Sequence, residues 1–433
     1  MRNSLKNSGD TVLVIYNILD TYMKQRNGIV DIIRGCAMLL VVLGHTMSGT
    51  VREFSDSLLF QAIWTLQMPL FIVISGYVTR YSRPLEDSRG LWKFIKKRTL
   101  AYLLPWGVWT IVVRGLIFGQ SNMLNIKKLL WNMDNGYWFL VTIWTISMIY
   151  GISDLLSNKW FKEKKLNVFA HFFFCGIGLI GLAVVGYLMG LNFFAIKLTL
   201  YYLPIYLLGY MYGQIQHWVM ARANGKYFVN IVIVASLALW LAAINRFDFF
   251  AGADNLMMIF GRFIASSLGC IAVIGLFCKY NGRGIFKILK DRRTLVRNVS
   301  HPLSVSEPCA TSPSASVSIN GGNVHNIHEL PANFSDDSND YKDGTGQQHF
   351  ELSVVCQTRI NKILNWVGTH SLEIYLIHGF SLCFLKLTNP PVLDSCYGWL
   401  LVTLNFVVAV LLSCIYIRII ESNKLLNKIL YWK

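Results

Sequence analysis

The stretch Asp31-Ile-Ile-Arg34-Gly-Cys-Ala-Met-Leu-Leu-Val-Val-Leu-Gly-His45 decides how the rest of the chain is interpreted, because it sets an arginine and a histidine in an apolar run. Charged and titratable side chains are costly in hydrocarbon, so within a membrane helix they mark a candidate functional site. Arg34 and His45 are eleven residues apart, about 16 Å along a helix, and lie on one face. Asp31 precedes Arg34 by one turn and is placed to pair with it.

The composition predicts an all-α fold, a polytopic transmembrane helical bundle. Hydrophobic residues make up 54% of the chain and charged residues 15%. Backbone in lipid must form helices or a closed barrel, and the alternating pattern of barrel strands is absent. Apolar runs of about 20 residues, the length that spans a bilayer as a helix, recur along the chain. We predict about ten spans, at 29–50, 58–79, 99–119, 137–157, 168–190, 196–216, 227–245, 256–278, 366–387 and 398–419.

The net charge of +17 carries topological information. Basic residues concentrate in the cytoplasmic loops of membrane proteins, and about 31 of the 40 Lys and Arg fall in alternate connecting segments of the predicted bundle. This distribution predicts that both termini are cytoplasmic. A nucleic-acid partner is not expected, because such a basic surface needs a soluble domain that the sequence does not offer.

The predicted spans divide the chain into four segments. Residues 1–28 form a cytoplasmic N-terminal segment and residues 29–285 carry spans 1 to 8 of the transmembrane domain. Residues 286–362 form a cytoplasmic loop rich in Ser, Asn, Asp, Gly and Pro, which we predict to be disordered. Residues 363–433 carry spans 9 and 10 and a cytoplasmic tail. Neither the loop histidines nor the scattered cysteines have ligand spacing, so no metal site is expected.

Further polar residues lie within the spans or directly beside them. The second span contains Ser75, and the fourth contains Trp138 near its start. Glu373 and His378 form an ionisable pair in the ninth span, which is costly unless it faces a cavity. A dense basic cluster, which can hold a polyanion such as the phosphates of coenzyme A, follows the second span. Its most relevant members are Arg80, Arg83, Lys97 and Arg98.

Taken in order, these blocks resemble the acyltransferase-3 family of membrane-bound acyltransferases, many of which O-acetylate sugars of cell-envelope polysaccharides. The resemblance covers spans 1 to 4 and 9, and its most specific block is the arginine followed by ten residues and a histidine. It implies that His45 and Arg34 are the catalytic pair. An Arg-x-x-Arg motif found in some members is not reproduced at Lys97-Arg98, whereas Arg80-Tyr-Ser-Arg83 has that spacing at an earlier place.

The resemblance implies an O-acetyltransferase of the cell membrane, the inner membrane in a bacterium. Acetyl-CoA or another acyl-CoA would be a co-substrate, with no bound cofactor, and a sugar or polysaccharide would be the acceptor. His45 would act as general base, since neutral imidazole suits that role. Arg34 would bind donor phosphate or the oxyanion of the tetrahedral intermediate. The supporting residues would be Asp31, Ser75, Trp138, Glu373 and His378.

Several alternatives stay open at this stage. Arg34 can be an interfacial anchor, His45 a packed interhelical hydrogen bond, and the basic cluster a set of topological anchors. A covalent acyl-histidine is a variant of the mechanism, and assembly as a homo-oligomer among membrane lipids is left open. A transporter or flippase of envelope precursors would also place titratable groups in spans, but it predicts paired interrupted helices, and no internal symmetry of that kind is visible.

Overall fold

The computed structural model describes residues 28–80, 82–131, 137–220, 225–251, 255–280, 359–381 and 389–431. Among these residues the structure is helical, with no strand and one isolated bridge between Arg52 and Val392. The described helices all belong to one compact unit, Met1–Ile285 with Cys356–Lys433. Most of the predicted N-terminal segment 1–28 and of the polar loop 286–362 lies outside the described residues.

Fourteen α-helices are described, and nine of the helical segments are long and apolar enough to cross a membrane, which confirms the predicted helical bundle. The third of these nine is α3 together with the π-helix Val108–Ile117 that continues it. In chain order the helices are α1 (Gly28–Thr50), α2 (Leu58–Thr79), α3 (Ser88–Gly107), α4 (Ser121–Leu124), α5 (Ile126–Trp131), α6 (Trp138–Trp160), α7 (Lys164–Met189), α8 (Ile196–Met220), α9 (Gly225–Arg246), α10 (Leu256–Tyr280), α11 (Arg359–Thr369), α12 (Ser371–Ser381), α13 (Cys396–Ser422) and α14 (Lys424–Tyr431).

The third span begins eleven residues earlier than the sequence predicts. Asp87 is the N-cap of α3, and its carboxylate accepts a 2.6 Å hydrogen bond from the backbone N–H of Gly90. With the π-helix, the segment has 30 residues and a length of about 45 Å, which exceeds a hydrocarbon core of about 30 Å. Lys97 and Arg98 therefore lie within a continuous helix instead of before it.

The predicted ninth span, 366–387, is not one continuous helix. Its described part belongs to α11 and α12, which are separated at His370, and residues 382–387 lie outside the described residues. The Trp366 carbonyl oxygen accepts hydrogen bonds from the Thr369 hydroxyl at 2.8 Å and from the His370 backbone N–H at 3.1 Å. The His370 ring nitrogen Nδ1 lies 2.9 Å from the same oxygen. Side chains that compete for a helical carbonyl in this way favour a local break.

Helices α1 and α2 form the centre of the bundle. The structure buries 61% of the α1 span and 67% of the α2 span, compared with 17% for α7 and 22% for α9. Helix α1 packs against α2, α11 and α13, and α2 packs against α8 and α10. Two close contacts involve glycines, since a Cβ on Gly35 would collide with the Leu364 carbonyl and one on Gly76 with the Tyr206 carbonyl. Small residues of this kind allow membrane helices to approach closely.

We name the two ends of the bundle by α1. The Arg34 end is where α1 begins, and the His45 end is where it finishes. Because consecutive long helices alternate in direction, α2 and α6 finish at the Arg34 end and α7 begins there. Helix α10 begins at the His45 end.

Candidate functional site

The structure brings two histidines together at the His45 end. The ring of His45 on α1 lies against that of His378 on α12, with 5.4 Å between the ring centroids and 38° between the ring planes. His45 is exposed and His378 is buried, with 5% of its surface accessible. A substrate hydroxyl can therefore approach His45 while His378 lies behind it.

A contact between two glycines places the two histidines at the same level along the bundle axis. Gly35 and Gly368 are packed against each other, since a Cβ on either one would strike the backbone of the other helix. Ten residues separate Gly35 from His45, and ten separate Gly368 from His378. Because α1 and the α11–α12 pair advance in the same direction from this contact, equal spacing places both histidines at the same level.

The backbone around His378 fixes the position of its ring proton. Its Nδ1 lies 2.8 Å from the Tyr375 carbonyl oxygen and 3.1 Å from that of Ile374. A carbonyl oxygen can only accept a hydrogen bond, so Nδ1 carries the proton and donates it. In the neutral ring Nε2 is then an acceptor, available to an N–H of His45.

An aromatic wall supports the histidine pair from α6. The Tyr137 hydroxyl donates a 2.7 Å hydrogen bond to the Leu376 carbonyl of α12. The Tyr375 ring lies 5.8 Å from the rings of Tyr137 and His378, and 5.6 Å from that of Phe139. These contacts hold α12 in place around His378 and leave the pair in a mostly apolar surrounding.

Arg34 lies at the other end of α1 and does not contact the histidine pair. Its Nη1 is 3.4 Å from Asp31 Oδ1, which confirms the pairing expected from their spacing. The Asp31 side chain is 2% exposed and that of Arg34 25% exposed. The offset of eleven positions from Arg34 to His45 corresponds to about 16 Å of helix rise, so the two side chains do not act on the same atoms at once.

Glu373 is buried on α12 between these two levels. The C-terminal helix α14 folds back towards it, and Tyr431 stacks on Trp109 of the π-helix, with 6.1 Å between the ring centroids. The Trp109 indole N–H also donates a 3.0 Å hydrogen bond to the Leu430 carbonyl. Burial raises the pKa of the Tyr431 phenol above its ordinary value, and the carboxyl groups of Glu373 and Glu421 raise it further.

A polar cavity of about 400 Å³ opens at the Arg34 end. It lies between the end of α2, the segment that follows, and helices α6, α7 and α8. The backbone N–H of Leu85 donates a 2.8 Å hydrogen bond to Asp154, and the Asn158 side chain donates to the Leu85 carbonyl at 3.2 Å. These two bonds fix the wall of the cavity. The charged side chains that line it are Arg80, Glu86, Asp154 and Lys162, and polar and aromatic side chains beside them include Tyr150, Asn158, Tyr210 and Gln214.

Of the four residues predicted to bind the acyl donor, Arg80 lines this cavity. Its Nε is buried and has no hydrogen-bond partner among the described residues. Arg98 instead donates a 3.0 Å hydrogen bond to the Tyr102 hydroxyl and lies 5.2 Å above the Phe94 ring. Lys97 and Arg83 are exposed and do not line the cavity. Donor binding by the four residues stays a prediction.

The remaining predicted supporting residues have local partners. The Ser75 hydroxyl donates a 2.7 Å hydrogen bond to the Phe71 carbonyl one turn before it. Trp138 stacks on Tyr202, with 5.8 Å between the ring centroids. No group of three or more His, Cys, Asp or Glu side chains among the described residues is arranged to hold a metal ion.

Two polar groups that are prominent in the structure are not among the site residues predicted from the sequence. Asp154 is nearly buried at the wall of the cavity, and Arg262 lies in α10 between two aromatic rings. Both sit within apolar runs, so the signal that singled out Arg34 was present for them too.

Comparisons with known proteins agree with the resemblance noted from the motifs. A family model described as an acyltransferase domain matches residues 27–296. Two curated relatives are both called nodulation protein NolL. The relative from Sinorhizobium fredii is 24% identical over 203 residues, 42% of this chain and 48% of the relative. The relative from Mesorhizobium japonicum is 23% identical over 241 residues, 53% of this chain and 59% of the relative. The chain thus spans about half the length of the curated relatives it matches, and no solved structure matches it.

Proposed function

Because the chain belongs to the acyltransferase-3 family, we propose that it is an integral membrane O-acyltransferase that transfers an acetyl group from acetyl-CoA to a hydroxyl. The acceptor would be a surface polysaccharide or its lipid-linked sugar precursor. The observation that carries this proposal is the contact between the rings of His45 and His378, with 5.4 Å between their centroids. His378 lies beyond residues 27–296, so its place beside His45 is independent support for a site there.

In the proposed reaction, an unprotonated ring nitrogen of His45 takes the proton of the acceptor hydroxyl. The hydroxyl oxygen forms a bond to the thioester carbonyl carbon, and the carbon–sulfur bond then breaks. The proton on His45 passes to the departing thiolate, which leaves as the free thiol of coenzyme A. Each cycle thus returns His45 to its neutral form.

His378 would serve as a positioning residue in this reaction. Its Nδ1 proton is held by backbone carbonyls, which leaves Nε2 as an acceptor. In the reaction Nε2 would accept an N–H from His45, and the other nitrogen of His45 would then be unprotonated. A hydrogen-bond acceptor that orients a catalytic imidazole has a large effect on kcat. Without it the ring can adopt the wrong tautomer, which presents a proton where a lone pair is needed.

Two substitutions at His378 separate this role from a purely structural one. A glutamine amide reaches the position of Nε2, whereas an asparagine amide reaches that of Nδ1. We expect His378→Asn to lower kcat by about 10²-fold with little change in KM, and His378→Gln to recover a large part of that loss. Equal losses in the two variants, measured as acyl transfer in membranes, would rule out the positioning role.

We place the donor nucleotide in the cavity at the Arg34 end. The predicted cytoplasmic position of both termini puts this end on the side where acyl-CoA is found. Arg80 offers a charge to the phosphates, and the tyrosine rings with the polar side chains of Asp154 and Asn158 offer contacts to the base. The long flexible arm of coenzyme A would carry the thioester from there towards His45.

Arg80 provides a test of this placement. We expect Arg80→Gln to raise the KM for acetyl-CoA about tenfold, as the loss of one charge-assisted hydrogen bond would. Arg89→Gln, which removes an exposed arginine at the same end, is the matched control and should leave KM unchanged. An unchanged KM in Arg80→Gln would place the donor elsewhere.

The proposed activity itself is tested by incubating membranes that contain the protein with acetyl-CoA labelled in the acetyl group. Label should enter envelope polysaccharide or a lipid-linked sugar, and mass spectrometry of the glycan should show an added O-acetyl group. Absence of transfer, with transport of precursors intact, would favour a transporter. Localisation in a bacterial inner membrane is part of the proposal, supported by the nine candidate spans and by the bacterial sources of both relatives.

A further inference from the structure

Arg262 is a charged residue of the membrane region that the proposed reaction does not use. It is the seventh residue of α10, about 9 Å along the helix from the His45 end. A guanidinium at such a position is costly in hydrocarbon and usually has a functional reason. Arg262 lies at the end of the bundle opposite the proposed donor cavity. A functional role for it would therefore concern the acceptor.

Arg262 lies in an aromatic cradle. Its guanidinium carbon is 4.9 Å from the centroid of the Trp64 ring and 4.8 Å from that of the Tyr201 ring. Tyr202 is a further neighbour of its guanidinium. No carboxylate among the described residues pairs with it, and its Nε has no hydrogen-bond partner there.

Cation–π contacts alone would make Arg262 a structural anchor. Those contacts, however, leave the buried Nε–H of Arg262 without a hydrogen-bond partner among the described residues. A buried donor without a partner is uncommon in folded proteins and calls for an explanation. An anion bound at this N–H provides one.

Two more polar atoms beside the cradle lack hydrogen-bond partners among the described residues. They are Trp64 Nε1, a donor, and Gln67 Oε1, an acceptor one turn further along α2. Gln67 lies against α1, since a Cβ on Gly44 would be 2.9 Å from its Oε1. Gly44 is next to His45, so Gln67, one turn of α2 after Trp64, lies beside the residue that precedes the proposed base.

We propose that Arg262, with Trp64 and Tyr201, binds an oxyanion of the acceptor saccharide, either a phosphate of its lipid linkage or a carboxylate of an acidic sugar. The planar guanidinium matches both groups through paired hydrogen bonds. The aromatic rings and the Gln67 amide would contact the sugar beside it, as in ligand pockets that combine apolar walls with few polar groups. This assignment rests on the proposed acyltransferase function.

Three synthetic acceptors test the assignment in membranes supplied with labelled acetyl-CoA: octyl glucoside, octyl glucuronide and octyl diphosphoglucose. We expect at least one anionic acceptor to be acetylated with a kcat/KM about tenfold above the neutral one, as a charge-assisted hydrogen bond would give. The better anionic acceptor identifies the source of the oxyanion. Arg262→Gln should lower the ratio of kcat/KM for the anionic acceptor to that for the neutral one to about one, and Arg262→Lys should retain part of this preference.

Arg246→Gln is the matched control, because Arg246 is exposed at the same end of the bundle. It should keep the preference of the wild-type protein. Equal kcat/KM for the three acceptors, no transfer to either anionic acceptor, or an equal loss for all three in Arg262→Gln would overturn the assignment. Absence of transfer to all three acceptors in the wild-type protein would instead count against the proposed acyltransferase function, whereas transfer to the neutral acceptor without a preference for the anionic ones would count against the assignment of Arg262 alone.

Discussion

Replacement of His45 with alanine is expected to lower acyl transfer by about 10²- to 10⁴-fold, the contribution of a positioned general base. His45 is exposed, so the variant should reach the membrane in normal amounts. The measurement is transfer of labelled acetyl to glycan, normalised to the amount of protein in the membrane. Because the loss is chemical, raising the acetyl-CoA concentration should not restore the rate.

The same experiment distinguishes His45 from a packed histidine. A structural role would lower the thermal midpoint of the purified protein together with the activity, whereas the proposed role leaves the midpoint unchanged. Transfer at the wild-type rate in His45→Ala would contradict the assignment of the base. The histidine contact would then need another explanation.

Replacement of Gly368 with valine is expected to destabilise the bundle and remove activity together. A Cβ at this position strikes the Asp31 carbonyl oxygen and the Gly35 backbone, and overpacking of this kind costs about 1–3 kcal/mol or more. The two helices must separate to accommodate it, which moves His378 away from His45. The loss of stability is measured as thermal unfolding, monitored by size-exclusion chromatography. The loss of activity is measured as transfer of labelled acetyl.

Gly181→Val is the matched control for Gly368→Val. Gly181 lies on α7, and nothing lies within 4 Å of a Cβ built there. The same substitution should therefore change the stability only by the small difference in helix propensity, a few tenths of a kcal/mol in favour of valine. If both variants unfold at the same temperature, the close contact between α1 and α11 does not hold the two helices together.

The regular spans were well predicted from sequence because their signal is local. Helix α2 was predicted at 58–79 and is found at Leu58–Thr79, since a uniform apolar run with polar ends defines both boundaries. The third span begins before its prediction because the first turns of α3 are polar and are specified by the Asp87 cap. The ninth is interrupted at His370 by side-chain bonds that a hydropathy average does not register.

The candidate site was predictable in part. Arg34 and His45 were visible because each is a polar residue in an apolar run, and Asp31 because it lies one turn away. His378 was visible for the same reason, but its contact with His45 depends on how α12 packs against α1. Nothing local in the sequence specifies that packing. The equal ten-residue spacing from Gly35 and Gly368 is a sequence signal that would have indicated it.

The contact between Gly35 and Gly368 also constrains the order of events during synthesis. Helix α1 is made early, whereas its main partner α11 follows about 330 residues later, which at 5–20 residues per second takes roughly 15 to 70 s. During that time the buried face of α1, with Asp31, awaits its partner in the membrane. Biogenesis of this protein should therefore depend strongly on the insertion machinery that shelters unpaired polar helices, and premature termination before α11 should leave α1 a target for quality-control proteolysis.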